Sequence, residues 1–216
     1  MSMWPGLVSA AKALGALVAI LLFVPIGGPA HAQVHTAGTS TQAQQNPGGI
    51  TPNLVSGGSI TLSMTGPTSL AIDITSRLGQ AMNPLNSANP ITITANYSNV
   101  NCTPLFNCLF NPPTLYLYAY VPSTGLTGPG GYSIPASALE ASTTGSGWTT
   151  FANQTYGSQP AVVPPGPSFL ISQKGRAWGS SSATGTLYLN LNLTGVTNLA
   201  AGSYTGVMSI RATITQ

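Results

Sequence analysis

The chain has 216 residues, 43% of them hydrophobic and only 3% charged, where about a quarter is ordinary. Five basic and two acidic residues give a formal net charge of +3, too few and too scattered to track phosphates, which excludes a nucleic-acid partner. Disorder is excluded too, because disordered chains combine high net charge with few apolar residues.

Lys12 precedes the apolar run LGALVAILLFV, which ends at Pro25, Gly27 and Gly28 and is followed by Ala30, His31 and Ala32. This order reads as a secretory signal peptide, residues 1–32, cleaved after Ala32. The run is shorter than the roughly 18 to 20 residues that cross a bilayer. The mature chain is therefore expected to carry no membrane span and to be periplasmic, secreted or at the cell surface, a retained anchor being the alternative. The next segment, QVHTAGTSTQAQQNPGGITPN (33–53), is polar and punctuated by Gly and Pro, and it predicts a flexible leader.

From residue 54 onward the apolar residues recur every second position, the period of a strand with one buried face. SITLSMT (59–65) puts Ile60, Leu62 and Met64 together; SLAIDIT (69–75) does the same with Leu70, Ile72 and Ile74, leaving Asp73 outside. PITITANYS (90–98) sets Ile91, Ile93 and Ala95 against Thr92, Thr94 and Asn96. TLYLYAYV (114–121) alternates Leu115, Leu117, Ala119 and Val121 with Tyr116, Tyr118 and Tyr120. Residues 122–167 are rich in Gly, Pro, Ser and Thr, with ASALEAS (136–142) long enough for one helical turn. SFLIS (168–172), GTLYLNLNL (185–193) and the closing GSYTGVMSIRATITQ complete the set. Together these predict an all-β fold, an antiparallel immunoglobulin-like sandwich of seven to nine strands, as a single domain over 54–216.

Two cysteines, Cys102 and Cys108, lie in NCTPLFNCLF. In a secreted chain such neighbours predict a disulfide, and its short loop adds only about 2 kcal/mol in the chain-entropy model. Two thiols with no nearby His or acid make a poor metal site, so neither metal nor cofactor is expected. Catalysis is not expected either. Beyond the signal peptide only His35, Asp73 and Glu140 titrate in the range useful for acid–base work, and no nucleophile elbow, zinc-binding HExxH or phosphate-cradling loop is present.

Two features are candidates for binding. Tyr116, Tyr118 and Tyr120 form a stripe that suits a protein interface or a sugar ring if it is exposed, and is merely packing if residues 122–167 cover it. Leu105, Phe106, Leu109 and Phe110 cluster around the cysteine loop, either as an exposed contact tip or as core.

The end of the chain carries a resemblance. LAAGSYTGVMSIRATITQ, with Gly202, Ser203, Tyr204, Thr205 and Gly206 before an alternating strand, resembles secreted bacterial pilus subunits of the chaperone-usher type, in the branch of spore-coat-U-like proteins. The resemblance covers mainly the last thirty residues. It implies a sandwich lacking one strand, a final strand bordering the resulting groove, and a donor strand from a neighbouring subunit that fills it. It also implies copies of itself, other surface subunits and a periplasmic chaperone as partners. Tyr204, Met208, Ile210, Ala212 and Ile214 would then form the assembly edge. The leader lacks alternating large apolar residues of the kind that would plug a neighbour's groove, and the chain closes on Thr215 and Gln216 rather than on an aromatic residue; a self-complete sandwich or a cap is the variant those departures allow. The leading expectation is a secreted, non-enzymatic structural or adhesive surface protein. The alternative is a carbohydrate-binding module that uses the tyrosine stripe to hold a glycan.

Overall fold

Extended backbone forms where alternate residues bury an apolar side chain against a second layer, and the alternating runs above become the strands of two facing sheets. A computed structural model describes residues 31–36, 55–56, 59–67, 69–102, 109–158, 161–197, 199–200 and 202–215. In chain order the strands are β1 (His31–Thr36), β2 (Val55–Ser56), β3 (Ser59–Thr65), β4 (Ser69–Asp73), β5 (Ile91–Cys102), β6 (Thr114–Tyr120) and β7 (Leu126–Thr127). Then follow β8 (Ser133–Ile134), β9 (Leu139–Ser142), β10 (Thr149–Thr150), β11 (Ser168–Lys174), β12 (Gly179–Leu191) and β13 (Ser203–Thr215). Four of these thirteen are two-residue pairings, so nine longer strands carry the fold.

One sheet runs β11-β6-β13-β1-β4, with β7 and β8 added beside β13; the other runs β10-β9-β12-β5-β2, with β3 also paired to β5. The pairings are antiparallel except that β1 lies parallel to β13. The result is an all-β sandwich. Its core is built from the inward residues of both sheets: Ile91, Ile93 and Ala95 of β5 and Leu187, Leu189 and Leu191 of β12 face Leu115, Leu117 and Ala119 of β6 and Met208 of β13. Burying each large aliphatic side chain stabilises the fold by about 1.5 to 3 kcal/mol relative to exposure.

The alternation on β5 is re-phased once. Ile91, Ile93, Ala95 and Tyr97 are buried, but the next buried residue is Val100. Asn99 adopts the left-handed region at φ 56°, and the register with β12 shifts between Gly179 and Ser181. This bulge absorbs one residue and returns the strand to the core in the opposite phase.

Two expectations are refined. The one turn expected within residues 136–142 is a 3-10 turn at Ala136–Ala138, and Leu139–Ser142 after it is a strand paired with β12, all four of its residues buried. Extended pairing wins because it satisfies the backbone of a segment packed between β12 and β10. The second concerns the leader, whose first residues, Gln33–Thr36, belong to β1 and take a place inside the first sheet. Polar composition hid them, because the segment carries no run of alternating large apolar residues. The remainder of the leader, residues 37–53, lies outside the described residues, as does the signal peptide up to residue 30.

Candidate functional site

β13 is held by two long neighbours that are staggered along it, with β7 adding a single pairing at Thr205. Its first half pairs in parallel with β1, from His31 opposite Ser203 to Thr36 opposite Met208. Its second half pairs antiparallel with β6, from Tyr120 opposite Ser209 to Thr114 opposite Thr215. On the flank occupied by β1, no strand among the described residues faces Ser209 to Ile214. β1 in turn pairs antiparallel with β4, from Asp73 opposite His31 to Ser69 opposite His35. A strand from the start of the chain thus fills a slot between the last strand and β4.

The residues read as an assembly edge all lie on one face of β13, the face turned to the core, where Ile210, Ala212 and Ile214 stand opposite Ala119, Leu117 and Leu115. Tyr204, Met208, Ile210 and Ala212 are buried, and Ile214 packs against the core from a partly buried position. Tyr204 is the largest of them. Its hydroxyl donates to the Ala200 carbonyl at 3.1 Å, and burial raises its pKa from the ordinary phenol value. Gly128 lies against its ring, so close that a Cβ there would overlap it. These side chains anchor the strand; the pairing capacity of the edge is in its backbone.

The tyrosine stripe lies on the opposite face of the β6–β13 ladder, where Tyr156 packs over it. Tyr156 stacks at 4.6 Å from the Tyr118 ring and 5.6 Å from that of Tyr116. Its hydroxyl shares a hydrogen bond of 3.0 Å with Ser168 Oγ. Tyr118 is only 1% exposed, while Tyr116 and Tyr120 are half-buried. Arg211, opposite Tyr118 in register, sets its guanidinium 5.2 Å over the Tyr120 ring. Desolvation by burial raises the Tyr118 pKa against the opposing pull of Arg211, and burial also raises that of Tyr156. Stacking a sugar on Tyr118 would require the Tyr156 ring to move away.

Sequence reasoning missed a polar staple on the second sheet. Glu140 sits on β9, not on a loop; its Oε2 accepts from the Asn190 side-chain amide at 2.7 Å and its Oε1 from that of Asn192 at 2.9 Å. Asn190 Oδ1 accepts from the Asn83 backbone N–H at 2.6 Å, and Asn83 Nδ2 donates to the carbonyls of Gln80 and Leu191. Asn86 bonds both the Leu187 carbonyl and the Leu189 N–H. The buried amides pin residues 80–86 to the β12 edge, giving partners to backbone groups that would otherwise be buried without them. Alternation carries no sign of this, although four asparagines, two of them inside the leucine-rich run, are the clue it left. Asp73 lies on β4 in the other sheet, and both Glu140 oxygens are occupied by amides, so the two acids do not form a carboxylate pair of one sheet.

Cys102 ends β5, where it pairs with Val55; Cys108, Leu105 and Phe106 lie outside the described residues. Among the described residues no helix is long and apolar enough to cross a membrane, and no group of three or more His, Cys, Asp or Glu gathers around one point. A scan against models of known protein families finds no match, and a search of curated proteins returns no relative.

Proposed function

We propose that the chain is a secreted, non-enzymatic structural or adhesive surface protein, a pilus-like subunit that assembles by strand addition at β13. The observation that carries this reading is the slot between β13 and β4, held by six residues from the chain's start. Cleavage after Ala32 would remove His31 and Ala32 and leave Gln33–Thr36 as a four-residue strand at a new terminus. Strand ends of that length fray, and fraying exposes the β13 flank as a continuous edge from Ser203 to Ile214. A strand from another copy would then gain backbone partners on both β13 and β4. The charge-poor surface supports the same reading, because it offers little electrostatic repulsion between copies.

The test is to size the exported protein with and without residues 33–53. Strand exchange expects oligomers that lengthen with concentration in the intact chain and stop growing in the truncated one. A stable monomer in both, across concentrations, counts against assembly.

A further inference from the structure

One end of the sandwich, where β6 begins and β11 turns into β12, carries an apolar and cationic surface. Leu109 and Phe110, just before β6, are 60% and 88% exposed, and Trp178 is 39% exposed. The Ala177 N–H donates to the Pro113 carbonyl at 2.7 Å, which sets the turn bearing Trp178 beside the segment bearing Phe110. An aromatic side chain left that open to water is costly unless something covers it.

The charges around this tip have one sign. Lys174 and Arg176 are two of the four basic residues beyond residue 32. Lys174 Nζ bonds Ser181 Oγ at 2.6 Å and the Ser182 carbonyl at 2.8 Å, and lies 5.8 Å over the Tyr97 ring. Arg176 is exposed at the turn, with φ 55°. Both acids lie far off. Glu140 pairs with Asn190, eleven residues along β12 from Gly179, or roughly 36 Å at 3.3 Å per strand residue. Asp73 and Ser203 flank the same residue of β1, and Ser203 is at the opposite end of β13 from Thr215, which faces the start of β6.

We propose that this tip docks on an anionic phospholipid surface, with Leu109, Phe110 and Trp178 entering the headgroup region and Arg176 and Lys174 meeting lipid phosphates. Apolar and aromatic side chains flanked by cations are the composition that partitions into such an interface, and basic side chains are drawn to its negative potential. A second copy fits less well, since two like-charged tips would face each other.

The test is co-sedimentation with vesicles of phosphatidylcholine, with and without phosphatidylglycerol, using exported protein whose N-terminus is checked by mass. The expected result is binding to anionic vesicles at low salt, weaker by roughly tenfold or more on neutral vesicles or at high salt. The double variant Phe110→Ser, Trp178→Ser should bind anionic vesicles at least roughly tenfold more weakly. Arg176→Asn, a residue that accepts the left-handed backbone, should lose the preference for anionic lipid, and Leu78→Ser, at a side chain 45% exposed away from the tip, should bind like the parent. Circular dichroism of each variant checks that it folds. No binding, equal binding to both vesicles, or binding indifferent to the tip substitutions overturns the proposal. So does a concentration-dependent dimer that Phe110→Ser abolishes, which would give the tip to a second copy. The truncation that tests assembly leaves this tip intact, so the two proposals fail separately.

Discussion

At the scale of single residues, the buried polar groups decide more than their number suggests. Glu140 accepts from two amides that have no other carboxylate to turn to. Glu140→Gln presents an NH2 group to one of those donors, and the expected loss is about 1 to 2 kcal/mol in the denaturation midpoint; an unchanged midpoint would mean that the staple contributes nothing to folding. The buried phenols make a prediction about alkaline pH. Desolvation raises the pKa of Tyr118, Tyr156 and Tyr204 in the folded chain, so the unfolded chain loses these protons first. Their contribution is fully present below the unfolded value of about 10 and is lost as pH rises through the higher folded values. Stability should therefore stay level between neutrality and mild alkali and fall above about pH 10, with a shallower fall in Tyr118→Phe, as read from denaturation midpoints across the range.

At the scale of elements, the bulge in β5 and the staggered flanks of β13 matter most. Asn99 pays little to occupy φ 56°, and a β-branched residue there would be strained. Asn99→Val should cost about 1 to 2 kcal/mol and Asn99→Gly little or nothing, compared by thermal denaturation; equal losses would place the cost in the Asn99 side chain instead. For β13, hydrogen exchange should separate its halves. Amides of Ser209 to Ile214 that face β6 should exchange slowly, and those between Ser203 and Met208 that face β1 should exchange faster in a chain beginning at Gln33. Equal protection would show that the remnant of β1 holds firmly, and would weaken the case for exchange with another copy.

At the scale of the whole molecule, the scarcity of charge predicts that self-association responds weakly to salt. With so few ionic groups to screen, the mass distribution of assemblies should shift by less than roughly twofold between low and high ionic strength, as measured by sedimentation. A steep dependence would point to an ionic interface. The sandwich itself was legible because Ile91, Ile93, Ala95 and the Leu187 to Leu193 series report their burial through simple alternation. What stayed hidden depends on contacts between distant residues. The strand at Gln33–Thr36 is polar and pairs with Thr205 to Met208 at the far end of the sequence. The roof of Tyr156 over Tyr118 joins a loop to a strand, and the Asn83–Asn190 bond spans more than a hundred positions. None of these leaves a local period in the sequence.

The seating of β1 against β13 bears on how the molecule reaches its fold. Residue 31 pairs with residue 203, and β5 pairs along its length with β12, so the first sheet and the centre of the second both wait for strands made late. β1 can meet β4 and β3 can meet β5 early, but pairings as distant in sequence as that of β1 with β13 form slowly. Completion of both sheets therefore waits for the last third of the chain, which supplies β12 and β13.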